Sequence, residues 1–277
     1  MSHALISGYA DAIYPEQPWF VLSAAQHYSI MASANPAISH FYTFDVSPAA
    51  DVTMAIPDGC VDIVFDCDTA RPTARVCGTP LEARSVELIN GHRYFGVRFA
   101  PGIMPDFLDL MAEELTNREY DFAEVVPGAR RACEQILRSA QFSQQVTLFD
   151  RYFTPRLARR TSSVTTCIIH TIQQLKGNIR IEQLETLTGY TCRTIQRQFR
   201  QDTGMSPKIF GRIMRCQTAL NTLYKPGRHS FTALALDLGF SDQSHFLREF
   251  KKLVSATPLE FQRRALGEAW DERLRYH

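Results

Sequence analysis

Along the last third of the chain, apolar residues recur at helical spacing, and the recurrence is written twice. Ile181 and Leu184, then Ile195 and Phe199, then Phe210 make the first set. Phe231 and Leu234, then Phe246 and Phe250, then Phe261 make the second. The same punctuation falls inside each set: Gly189-Tyr190-Thr191 and Gly204-Met205-Ser206-Pro207 in one, Gly239-Phe240-Ser241 and Ser255-Ala256-Thr257-Pro258 in the other. Corresponding landmarks stand about 50 or 51 residues apart, which marks an internal repeat. Each copy predicts a short amphipathic helix, a glycine able to take positive φ, a Thr or Ser cap, and a second amphipathic helix. That grammar is helix-turn-helix, in which the second helix keeps one face free for a major groove.

Upstream the pattern changes. Residues 1–104 carry short runs rich in Val, Ile, Phe and Tyr, broken by Pro, Gly, Asn and Asp, and they predict a small β barrel or sandwich. Strands are expected at Phe41-Tyr42-Thr43-Phe44-Asp45-Val46, at Cys60-Val61-Asp62-Ile63-Val64-Phe65 and at Tyr94-Phe95-Gly96-Val97-Arg98-Phe99. Pro57-Asp58-Gly59 reads as a turn, and Asn90-Gly91 as a tight hairpin. From Pro105 the texture is helical, with helices expected from Asp106 to about Leu115, over 129–137 and over 146–157. The polar, basic stretch 156–166 reads as a linker, with Ser163 capping the next helix. The expectation is an α+β multidomain chain: a β-rich domain over 1–104, a helical extension over 105–158, and a tandem helix-turn-helix domain over 159–277.

Composition alters this picture in one respect. The formal net charge is only +1, which by itself argues against a nucleic-acid partner. The charge is unevenly placed, however: residues 155–277 hold 20 Lys and Arg against 10 Asp and Glu, and the remainder 10 against 19. Positive charge is therefore concentrated where the repeat lies. The N-terminus lacks the pattern of a signal peptide, and no apolar stretch is long enough to span a bilayer. Seven scattered cysteines suit reduced thiols in a cytoplasm. The spacing of Cys60, Cys67 and Cys77 does not fit a structural zinc site, so neither metal nor cofactor is expected.

The string Ala235-Leu236-Asp237-Leu238-Gly239-Phe240-Ser241-Asp242-Gln243-Ser244-His245-Phe246, with Arg248-Glu249-Phe250-Lys251-Lys252 and Thr257-Pro258-Leu259-Glu260-Phe261, resembles the DNA-binding domain of the AraC/XylS family of transcription regulators. The resemblance covers roughly a third of the chain and is doubled by the first copy. Pro57-Asp58-Gly59-Cys60-Val61-Asp62-Ile63-Val64-Phe65 and Gly96-Val97-Arg98-Phe99-Ala100-Pro101-Gly102 are similar to the N-terminal domain of one subgroup, which implies a cupin-like sensor fold.

In the first unit Ile181, Leu184 and Leu187 should pack inward, and Thr191 should cap a reading helix over about 192–202. With Ile195 and Phe199 in the core, Arg193, Gln196, Arg197 and Arg200 fall on the opposite face. Arg matches guanine O6/N7 and Gln matches adenine N6/N7. Carried over by position, the family pattern points to Arg193, Thr194, Gln196 and Arg197 for base edges and leaves Arg200 for phosphate. In the second unit Ser241 should cap the helix, placing Gln243, Ser244, Leu247 and Arg248 at the groove and Lys251 and Lys252 near phosphates. Leu247 could touch only a thymine methyl or a sugar. A connecting helix from Pro207 to about Tyr224 would set the spacing, with Arg212 and Arg215 either on phosphates or simply solvated.

These readings imply a sequence-specific DNA-binding regulator and no enzyme. The resemblance further implies activation, contact with RNA polymerase, and often a small-molecule effector and a homodimer formed through the helical extension. Effector-binding residues are not assigned. His40, Asp62, His92 and Arg98 read equally well as ordinary surface or turn residues. A competing reading fuses a DNA-binding module to an enzyme such as a DNA-repair alkyl transferase, or to a domain that binds a protein partner. The four-cysteine metal site of the former is not supplied by the spacing here, and no Gly-x-Ser-x-Gly, His-Glu-x-x-His or phosphate loop occurs.

Overall fold

Most of the β-rich runs of the first half pair into one sheet, whose central strand is buried on both faces. A computed structural model describes residues 21, 24–48, 53–157, 161–225, 230–267 and 273–277. The strands are β1 (Ala25–Ala32), β2 (Ile38–Val46), β3 (Thr53–Ala55), β4 (Asp62–Asp66), β5 (Thr73–Cys77), β6 (Arg84–Val86), β7 (Arg93–Phe99), β8 (Glu119–Asp121) and β9 (Leu274–Tyr276). Seven of them form a sheet in the order β8-β5-β4-β7-β2-β1-β9, while β3 pairs with β6. Central β7 is buried from Tyr94 to Phe99. On one face Phe41, Ile63, Phe65, Phe95 and Val97 pack with Ile136, Val146 and Phe149. On the other, Tyr28, Tyr42, Phe44 and Tyr94 stack with ring centroids 5.3–6.2 Å apart. Gly96 makes that stack feasible, since a Cβ there would lie 1.9 Å from the Tyr42 ring.

The helical extension comprises α1 (Ala112–Leu115), α2 (Phe122–Val125), α3 (Arg130–Arg138) and α4 (Phe142–Tyr152). Its first part departs from the expected helix beginning at Asp106. Phe107 and Leu108, neighbours in sequence, are both buried, and the Asp109 amide donates to the Val125 carbonyl instead of a helical partner. Aromatic packing of Phe107 on Phe99, Phe149 and Phe153 has overridden local helical preference. The outward residues of α3 and α4 are polar, including Arg131, Glu134, Arg138 and Gln144, and Met111 is the exposed large apolar side chain of this region among the described residues.

Other expectations shift for local reasons. β4 starts at Asp62 and not at Cys60, because Gly59 takes φ +78° and the Asp58 side chain accepts from the Cys60 amide. Gly91 takes φ +79°, so the Asn90-Gly91 turn exists. It joins β6 to β7, which belong to different sheets, so it closes no hairpin. Part of the expected linker, residues 158–160, lies outside the described residues.

The second half holds α5 (Ser163–Gln174), α6 (Ile181–Thr188), α7 (Cys192–Thr203), α8 (Pro207–Tyr224), α9 (Phe231–Asp237), α10 (Gln243–Val254) and α11 (Pro258–Gly267). Ser162, one residue before the expected cap, accepts from the Thr165 amide and starts α5. The two halves share a core. One contiguous buried cluster runs from Tyr28, Tyr42 and Phe44 through Leu220 and Leu223 to Phe246 and Phe250. Helix α8 supplies the junction: the Gln217 amide nitrogen donates to the Pro57 carbonyl at 2.8 Å, and Phe210 and Met214 lie over Gly59. The C-terminal tail, to which sequence assigns no role, returns as β9 and pairs parallel to β1. Among the described residues no helix is long and apolar enough to cross a membrane.

Candidate nucleic-acid interface

Both turns form as their residue types require. Gly189 adopts φ +72° and its amide closes α6 onto the Glu185 carbonyl at 2.8 Å. Thr191 then caps α7, its hydroxyl accepting from the Thr194 amide. In the second unit Gly239 takes φ +74°. The cap of α10 is Asp242 and not Ser241: the Asp242 carboxylate accepts from the His245 amide at 2.7 Å, while Ser241 donates to Asp242. A carboxylate is the stronger acceptor and takes the orphan amide. That bond, then the one from Ser241, hold the Asp242 pKa below the usual aspartate range.

Ile195, Phe199 and Thr203 are the buried side of α7, and Phe246, Phe250, Leu253 and Val254 that of α10. Arg193, Gln196, Arg197 and Arg200 are exposed and follow i, i+3, i+4, i+7 spacing, which makes one stripe. Ser244, Arg248 and Lys251 repeat the stripe on α10, also exposed. Three residues assigned to base edges are placed differently. Thr194 is half-buried with its hydroxyl 3.1 Å from that of Thr191. Gln243 accepts from the Thr232 hydroxyl at 2.7 Å, which occupies its amide oxygen. Leu247 is half-buried against the core of its unit.

Two of the three residues assigned to phosphates have protein partners. The Arg200 Nε lies 3.3 Å from Glu113, and the Lys252 Nζ 2.8 Å from Glu82. Lys251 remains exposed. Leu187 points outward at 53% exposure, against expectation, while Leu184 alone in α6 is fully buried. Ile181 packs partly buried against the same core.

The connecting helix α8 spans the 18 residues expected, about 27 Å of rod at 1.5 Å per residue. Its arginines are turned inward. Arg212 pairs with Glu249 at 3.3 Å and donates to the Leu81 carbonyl, and Arg215 lies 4.9 Å from the centre of the Phe240 ring. Burial lowers the pKa of Arg215. His245 meets the edge of the same ring, a packing position.

The N-terminal domain contains polar groups that sequence left as surface. Arg98 is 6% exposed, donates to Asp58 at 2.9 Å and to Asp62 at 2.7 and 3.0 Å, and Tyr42 donates to Asp62 as well. Burial opposes the guanidinium charge, but Asp62 and then Asp58 outweigh it and the pKa rises. Half-buried His40 is lowered to about 3, by burial first and Arg98 second, so it stays neutral at physiological pH. His92 pairs with Asp66 at 2.9 Å. Among the described residues all seven cysteines are free, and no group of three or more His, Cys, Asp or Glu is placed to hold a metal ion.

Comparison with known proteins follows the same division. Residues 184–264 match a family described as a helix-turn-helix domain, and residues 32–121 match a domain of unknown function (DUF6597). An HTH-type transcriptional regulator of Haemophilus influenzae is 31% identical over 106 residues, 38% of this chain and 35% of that protein. The HTH-type transcriptional activator RhaS of Pectobacterium carotovorum is 36% identical over 75 residues, 27% and 26% of the two chains. The chain thus spans about a third of the length of the curated relatives it matches. A solved probable AraC family transcriptional regulator from Rhodopseudomonas palustris is 33% identical, covering 38% of this chain and 98% of that one, with a TM-score of 0.34. With two capped reading helices on one rod, and sequence identity concentrated in that region, the chain belongs to the AraC/XylS family of transcription regulators.

Proposed function

We propose that the chain is a sequence-specific DNA-binding transcription regulator that reads two neighbouring major-groove segments of promoter DNA. The observation that carries this is the doubled stripe: Arg193, Gln196 and Arg197 on α7, and Ser244 and Arg248 on α10, exposed at matching positions. Arginine and glutamine forks suit guanine and adenine edges. The half-buried edge of Leu247 suits a thymine methyl. Thr194 and Gln243 act chiefly by holding the starts of the reading helices. Lys251, with Arg200 and Lys252 once released from their carboxylates, supplies phosphate contacts. The second stripe has fewer arginines and discriminates less sharply.

The N-terminal domain governs the arrangement of the reading helices through the shared core, in response to a small molecule or a protein partner. A thermal-shift screen of metabolites set against a pull-down separates those two inputs. Activation, through contact with RNA polymerase in the cytoplasm, is the sign of control supported by likeness to an activator. A homodimer formed through the helical extension would use the polar outer faces of α3 and α4. Arg197→Ala is expected to weaken specific binding by about 1–3 kcal/mol and to relax preference at one base pair. Binding measured against a panel of base substitutions checks this, and an unchanged preference removes Arg197 from the reading set.

A further inference from the structure

We propose that Glu82 and Glu113 set the affinity of this protein for DNA by standing in for two backbone phosphates, one at each reading helix. The inference rests on the DNA-binding reading above. Glu113 lies 3.3 Å from Arg200 near the end of α7, and Glu82 lies 2.8 Å from Lys252 near the end of α10. In the repeat the two cations occupy adjacent positions, so one acidic domain meets both units at nearly the same place.

The backbone is fitted to bring them there. Gly204, at φ +75°, lets the end of α7 approach α1 so closely that a Cβ would lie 2.4 Å from the Ala112 carbonyl oxygen. The Ala83 amide, next to Glu82, donates to the Lys252 carbonyl at 3.4 Å. Glu113 is not needed for capping, because Glu114 accepts from the Met111 amide. All four side chains are roughly half exposed, 63% and 48% in one pair, 47% and 56% in the other. Ion pairs so exposed add little to stability, and the fold does not account for them.

Their effect falls on the charge available to a phosphate. A free cation that meets DNA releases a condensed counterion from it, which gives binding its salt dependence. A cation already paired with a carboxylate exchanges one anion for another and leaves a glutamate that must gather ions again. The net release at Arg200 and Lys252 is therefore small in the native protein. Removing the carboxylate charges restores it.

The test uses the full chain and a mixed-sequence duplex of about 30 base pairs, since phosphate contacts are independent of sequence. Affinity is followed by fluorescence anisotropy over a range of salt. E82Q and E113Q are each expected to tighten binding about 2- to 5-fold at low salt, and to steepen the plot of log K against log salt by about 0.9 per pair. The difference closes at high salt. E124Q, an exposed glutamate of the same domain, controls for net charge and should leave the slope unchanged. In a cycle, Arg200→Gln with Lys252→Gln should cost more in the E82Q/E113Q background than in the native one. Native binding with an unshifted slope in the double variant, or an equal shift in E124Q, overturns the assignment of these two glutamates. Absence of duplex binding by native and variant chains alike overturns the DNA-binding reading itself.

Discussion

At the scale of single residues, Arg98 is the side chain whose context matters most. One guanidinium binds two carboxylates, buried Asp58 and half-buried Asp62. Losing one partner of a buried pair costs more than the pair contributes, because the remaining charge is stranded. Arg98→Met is expected to destabilise the protein by about 3–5 kcal/mol. The loss is read from the urea midpoints of the native and variant chains at neutral pH. None of this was legible beforehand. A lone Arg and two Asp among β residues look the same in sequence whether they lie inside or outside.

At the scale of elements, the sequence was most informative where periodicity and punctuation agree. Helix α8 appears over 207–224 as its apolar spacing predicts, and α7 starts one residue after Thr191 as expected. Buried Leu220 sits on the rod that both units and the sheet use. Leu220→Ala is expected to cost about 2–5 kcal/mol, visible as a lower denaturant midpoint. Thr191→Ala removes the cap of one reading helix and should cost about 0.5–2 kcal/mol. It should also weaken DNA binding more than a surface change elsewhere. Where the sequence reading missed, competition between neighbours decided the outcome. Asp242 outbid Ser241 for one amide, and Phe107 left its helix to join a cluster of rings.

At the scale of the whole molecule, the halves are not independent beads on a linker. A single buried cluster joins the sheet to the second reading unit, so heat should unfold the described core in one transition. Gly59→Val tests a second join between the halves, where Phe210 of α8 lies over Gly59. It forces a side chain into φ +78° and to within 2.9 Å of the Phe210 ring. Scanning calorimetry of this variant should show a lowered and broadened or divided transition, while an unaltered profile would count against the Gly59 contact with α8 as a coupling element. What the sequence determined by itself was everything governed by nearby residues: the repeat, the turns, the capped helices and the stripe of exposed polar side chains. The tertiary structure decided which charges are buried, which exposed cations are matched by carboxylates from the other half, and where the tail pairs. Those depend on surfaces far apart in the chain, and local periodicity carries no information about which of them will meet.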